Sequence, residues 1–198
     1  MSGSVSDTRP VIRTPRLVLR TWSAADAPAF HALHADPRVT EFLPGPLSME
    51  QVEAFIAFQQ EMFARSGACY FAIEVAATGA LAGFVGLKRH DADAPLRLPF
   101  APCTDIGWRL ATAHWGQGYA TEGARACLDY GFDTLGLEEI VSFTVPDNLR
   151  SRAIMEKLGM REDAGGAFAH PALPPEHRLS RHVLYRLARA DARAPARR

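Results

Sequence analysis

The sequence predicts a single α/β domain, and three observations carry that expectation. Apolar runs of strand length alternate with segments of helical periodicity, in the order β-α-α-β-β-β-α-β-α-β-β. A glycine-rich turn, Trp115-Gly116-Gln117-Gly118-Tyr119-Ala120-Thr121-Glu122, joins a strand pattern directly to a helix pattern. No linker or internal repeat divides the 198 residues. Glycines let a chain turn tightly and approach a ligand closely, and the N–H groups of a first helical turn attract anions. Strand, glycine turn and helix in that order therefore read as a phosphate cradle.

Each element has a local reason. Arg16 to Trp22 reads as a first strand. Ser23 with Asp26 three residues on opens a helix to about Ala35, and Pro37 and Leu43-Pro44-Gly45-Pro46 mark loops. Ser48 with Gln51 is a capping box. Beyond it Val52, Phe55, Ile56, Gln59, Met62 and Phe63 keep helical spacing to about Arg65. Tyr70 to Val75 and Leu81 to Leu87 read as strands joined through Ala77-Thr78-Gly79-Ala80. A proline-rich loop, Asp91 to Pro102, leads to a fourth strand, Cys103 to Leu110.

The helix after the glycine turn has Ala120, Ala124, Cys127, Leu128, Gly131 and Leu135 on one stripe, so it should pack closely on a sheet. Glu139 to Val145 is a fifth strand. A short helix from about Asn148 ends at Gly159, a residue suited to the left-handed position after a helix. Met160 to Phe168 and His182 to Leu187 complete seven strands as a last pair.

Composition excludes several classes. Lys plus Arg equals Asp plus Glu, at 22 each, so the chain lacks the basic excess of a general nucleic-acid binder. No apolar run reaches the roughly 18 residues of a membrane span, and Met1 to Pro10 is polar. Cys69, Cys103 and Cys127 have no metal-ligand spacing and read as reduced thiols of a cytoplasmic protein. His31 and His34, three apart on the first helix, read as surface residues. No metal is expected.

Four pieces in one order carry a resemblance: Thr14-Pro15-Arg16-Leu17-Val18-Leu19-Arg20, Asp105-Ile106-Gly107-Trp108, the glycine turn, and Asn148 through Gly159. They resemble the GNAT superfamily of acyl-CoA-dependent N-acetyltransferases, most closely its RimJ/RimL branch, over about residues 14 to 187. The superfamily motif Arg/Gln-x-x-Gly-x-Gly/Ala here reads Trp115-x-x-Gly118-x-Ala120, a departure at Trp115 that fits the branch. The resemblance implies a mixed, mostly antiparallel sheet of about seven strands flanked by helices, with two parallel central strands splayed around the cofactor. It assigns residues 14–188 to the domain, with flexible segments at 1–13 and 189–198. It implies acetyl-CoA as cosubstrate, held by Gly116, Gln117, Gly118, Tyr119, Ala120 and Thr121 at its pyrophosphate and by Leu110 and Ala111 along its pantetheine. Asn148 and Ser151 would lie near the thioester. A homodimer is compatible with the branch.

The chemistry narrows the candidates. An amine must be neutral to attack a thioester. At pH 7 an α-amine of pKa near 8 is about a tenth neutral, whereas a lysine amine is charged roughly a thousandfold over neutral. The latter needs a general base. Asp105, where the branch often carries glutamate, is the candidate base. Ser151 is the candidate stabiliser of the leaving sulfur, because the tyrosine many superfamily members carry four positions later is Met155 here. Asn148 would cap the helix and bond the pantetheine. Glu122 in the first turn suits the helix dipole. His170 and His182 bracket the last hairpin and would border the acceptor, with Trp22 and Phe42 as an opposite wall. The expected partner is a small-molecule or peptide amine. The alternative reading is a non-catalytic acyl-CoA sensor on the same fold.

Overall fold

The computed structural model describes residues 8–94 and 97–193. One sheet runs through the molecule in the order β1-β2-β3-β4-β5-β6-β9-β7, with β8 on β9. Its strands are β1 Pro10–Arg13, β2 Leu17–Arg20, β3 Tyr70–Val75, β4 Leu81–His90, β5 Cys103–Leu110, β6 Glu139–Thr144, β7 Arg161–Glu162, β8 Phe168–Ala169 and β9 Arg181–Ala188. Every pairing is antiparallel except β5 with β6.

The sheet has nine strands rather than seven for two reasons. Residues 10–13 do not belong to a flexible leader: Ile12 pairs with Leu19, and Val11 and Ile12 pack on the core. Residues 1–7 lie outside the described part. The strand expected over Met160 to Phe168 is broken in two by Asp163, whose side chain accepts from the Gly165 N–H and from Arg186. Both halves pair with β9. At the other end the expected tail begins with a helical turn, Arg189–Ala192, tied back by the Arg189 N–H to the Glu138 carbonyl. Residues 194–198 lie outside the described part.

The helices are α1 Ala27–His34, α2 Pro37–Thr40, α3 Met49–Ser66, α4 Tyr119–Asp129, α5 Leu149–Lys157 and α6 Arg189–Ala192. The expected N-cap at Ser23 forms, as a full capping box with Asp26, and so does the capping box expected at Ser48/Gln51. One helical turn, α2, stands where only a loop was expected. Asp36 caps it and Pro37 sets its first φ. On one sheet face α1 and α3 bury Trp22, Phe30, Leu33, Val52 and Ile56 against Ala72 and Phe84. On the other face α4 joins the larger core with Leu17, Val85, Leu87 and Ile106. Glycines bring α4 and its continuation close. A Cβ at Gly123 would lie 2.8 Å from Val85, and one at Gly131 would lie 2.8 Å from Ile140.

A buried ion pair ties the α1 entry to the sheet. Arg20 donates to both Asp26 oxygens at 2.9 and 2.8 Å, and to Glu74 at 2.9 Å. Asp26 also closes the Ser23 capping box. Removing one member of a buried pair leaves an uncompensated charge and typically costs about 3–5 kcal/mol. Asp26→Ala should therefore lose about that much stability in urea denaturation; a loss below about 1 kcal/mol would contradict this role.

Candidate active site

β5 and β6 run parallel but share one registered pair, Asp105 with Val141. The Ser142 hydroxyl donates to the Ile106 carbonyl at 2.9 Å and pins the apex. Beyond it the strands part, and a cavity of about 930 Å³ opens between them. Ile106 to Leu110 line one side and Ser142 to Thr144 the other. The strand edges facing this gap have lost their ladder partners, so water or a ligand must supply hydrogen bonds to them.

At one end lies the N-terminus of α4. Gly116 and Gly118 adopt φ of 73° and 80°, which side chains resist. Gly118 is the N-cap and offers no side chain to the helix. The N–H groups of Tyr119, Ala120 and Thr121 are thus left for an external acceptor. Arg16 stands beside them, its guanidinium 4.8 Å over the Tyr119 ring and donating to the Gln117 carbonyl at 2.9 Å. Glu122 has a sharper role than a dipole partner. It accepts from Thr14 Oγ1 at 2.6 Å, Arg16 N at 3.1 Å and Arg16 Nε at 2.6 Å. Burial works against its charge, but these bonds from Thr14 and Arg16 prevail and hold it below the usual carboxylate range.

At the apex, Asp105 is 4% exposed and accepts from Tyr70 Oη at 2.6 Å and His90 Nε2 at 2.7 Å. Burial, reinforced by Asp105, raises the Tyr70 phenol well above its ordinary value, so it stays a donor. Gly107 makes this contact possible: a Cβ there would come within 3.2 Å of the Tyr70 ring. His170 and His182 lie with ring centroids 5.1 Å apart against Phe143, all three lining the cavity. Burial keeps both imidazoles below their ordinary pKa. On α5, Asn148 caps the helix by accepting from the Ser151 N–H at 3.3 Å and donates to Thr144. The Ser151 hydroxyl has no partner among the described residues and borders the cavity.

Most expected site residues therefore share one cavity: Leu110, Gly116, Gly118, Tyr119, Ala120, Thr121, Asp105, Asn148, Ser151, Phe42, His170 and His182. Three do not line it. Trp22 is 2% exposed and donates its indole N–H to the Tyr70 carbonyl, so it builds the core under α1 instead of an acceptor wall. Ala111 packs with that core and gives its N–H to Ala82. Gln117 turns its amide back to the Ala113 carbonyl, leaving only its backbone near the turn.

A GNAT acetyltransferase domain model matches residues 16–161. The chain belongs to the GNAT acetyltransferase family. It is similar to the uncharacterized protein YkkB of Bacillus subtilis, 32% identical over 148 residues, covering 74% of this chain and 83% of that one. It is also similar to the uncharacterized N-acetyltransferase YnaD of the same organism, 28% identical over 154 residues, 77% and 83% of the two chains. Among solved structures, a GNAT-family acetyltransferase from Bacillus anthracis superposes with a TM-score of 0.72 at 26% identity. That match spans 89% of this chain and 97% of the other. The protein is thus an N-acetyltransferase with the GNAT fold.

The GNAT site contains residues that the motifs did not announce. Tyr70 and His90 come from β3 and β4 and meet Asp105 only through sheet pairing. Arg109 was legible in principle, since Asp105, Gly107 and Arg109 alternate on one strand face. His34 is not a surface residue. It is fully buried, its Nδ1 2.8 Å from the Phe30 carbonyl and its Nε2 2.6 Å from Arg109 Nη1.

Burial lowers the His34 pKa from 6.5 to about 4. The unfolded chain then binds the extra proton between those values, so this contribution is complete above pH 6.5 and fades as pH falls. Linkage gives a loss of about 2 kcal/mol at pH 5 relative to pH 8 from this group. Urea titrations of wild type and His34→Gln should differ in pH slope by about that amount. Identical slopes between pH 5 and 8 would contradict a buried neutral His34.

Proposed function

We propose that this GNAT enzyme transfers an acetyl group from acetyl-CoA to a primary amine by direct attack within a ternary complex. The observation that carries the reading is one continuous cavity joining the open α4 N-terminus, the free β5 edge and the Asp105 apex. Bound acetyl-CoA supplies a thioester already activated toward amines, so no protein nucleophile is required. The positive-φ glycines, the unpartnered first-turn N–H groups and the nearby Arg16 suit its phosphates.

On the acceptor side, Asp105 takes the amine proton through Tyr70. As the ammonium N–H gives its proton to Tyr70 Oη, the phenolic proton moves to Asp105 Oδ2, and the His90 bond steadies the carboxylate. Near Asn148 and Ser151, the free Ser151 hydroxyl and the N-terminus of α5 favour negative charge on a departing sulfur. His170 and His182 border the acceptor with Phe42. The RimJ/RimL-like motifs support an acceptor amine on a peptide N-terminus or a small molecule. The cysteines are free, two of them buried, which suits the reducing cytoplasm. No helix among the described residues is long and apolar enough to cross a membrane.

A pH–rate series on two variants tests these roles, with thiol release from acetyl-CoA as the readout. Asp105→Asn should lower turnover of a high-pKa amine by about 10²- to 10⁴-fold at neutral pH, and the loss should shrink as pH approaches the amine pKa. Ser151→Ala should lose activity with little pH dependence, because its bond to sulfur is needed whatever the amine's charge. Wild-type turnover of Asp105→Asn at pH 7 would remove Asp105 as the base.

A further inference from the structure

Arg109 lies in the cavity without a counter-charge among the described residues. Three arginines line this space. Arg38 is paired with Asp36 and Arg150 with Glu41, at 2.8 and 2.5 Å. Arg109 has no carboxylate partner among the described residues. Its guanidinium rests 5.3 Å over the Phe84 ring and makes one hydrogen bond, from Nη1 to His34 Nε2 at 2.6 Å. That partner brings no negative charge. The Phe30 carbonyl can only accept, so His34 Nδ1 carries the proton and Nε2 is the neutral acceptor. The one carboxylate on the same strand face, Asp105, is already engaged by Tyr70 and His90.

The cost of this arrangement is visible in burial, which lowers the Arg109 pKa to about 10. A charge held among an aromatic ring, a neutral imidazole and a cavity is stabilised when an anion enters. The phosphate cradle is an unsuitable source of that anion. It opens α4, which packs on the face carrying Ile106, Trp108 and Leu110. Arg109 alternates with those residues and projects to the opposite face, over Phe84 of the α1–α3 side. This is also the face of Tyr70 and Asp105.

We propose that Arg109 binds a carboxylate of the acceptor, so that the preferred acceptors are amines that also carry a carboxylate. The inference rests on the acetyl-transfer reading above and adds the substrate class. Among the described residues the guanidinium keeps most of its N–H donors unpaired, in the planar fork that matches a carboxylate. The ring of Phe84 holds that fork from one side. Arg109 then orients the acceptor while its amine addresses Tyr70 and Asp105 further along β5.

The test pairs each acid with its carboxamide: α-amino acids and ω-amino acids of two to six carbons as substrates, and their N-acetyl forms as product ligands. Calorimetry with the CoA-loaded protein reads product binding, and thiol release reads turnover. The expected result is at least tenfold preference for acids over amides in both. In Arg109→Gln this ratio should collapse toward one, chiefly through KM and Kd, without comparable loss of acetyl-CoA affinity. Arg109→Lys keeps the charge but loses the fork, so its ratio should fall severalfold yet stay above one. It serves if the glutamine variant does not fold. Equal binding of acids and amides by wild type would overturn the proposal. So would an unchanged ratio in Arg109→Lys, or an equal loss for both members of each pair in Arg109→Gln. Absence of thiol release from every amine would instead refute acetyl transfer, while the binding arm would still decide the role of Arg109.

Discussion

The site depends on two parallel strands that meet once and then separate. β5 and β6 share the Asp105–Val141 pair, fastened by the Ser142 bond to Ile106. Backbone groups past that point have no ladder partner, a condition that is tolerable only if water or a ligand satisfies them. Full pairing would close the cavity and cover the β5 edge. The meeting point thus sets the room in the gap, with the Asp105 carboxylate at its closed end.

The pleat of β5 divides the labour. Ile106, Trp108 and Leu110 turn toward α4 and its glycine turn, while Asp105, Gly107 and Arg109 turn toward α1 and α3. One face therefore carries the glycine turn proposed to hold phosphates, and the other carries the Tyr70–Asp105–His90 cluster and a cation. Gly107 is small because Tyr70 occupies the space its Cβ would need. His34, buried by Phe30, fixes the Arg109 fork from α1. The helix that builds the second core thereby also shapes the acceptor side.

Much of this was legible in the sequence because it is local. The N-caps at Ser23 and Ser48, the glycine turn, and the stop at Gly159 each depend on residues within a few positions of one another. Asp105, Asn148 and Ser151 entered through motif resemblance, and all three border the cavity. What failed was long-range. Tyr70 and His90 lie 35 and 15 residues from Asp105 in sequence, and no periodicity links them. Trp22 read as part of an acceptor wall and His34 as a surface group, because neither has a visible partner in the sequence. Their burial is set by how α1 lands on Phe84 and Tyr70. The last strand pair broke because Asp163 could satisfy the turn Gly165-Gly166 by itself, a competition that apolar counting does not weigh.

The central claim is that the gap between β5 and β6 receives the cofactor and completes the unpaired strand edge. Amide hydrogen exchange with and without saturating acetyl-CoA addresses it directly. Slowed exchange should concentrate at residues 107–110 of the β5 edge and 118–122 of the α4 turn, with α3 unchanged. Protection of the α4 turn alone, with residues 107–110 exchanging as before, would contradict a ligand laid along the open strand.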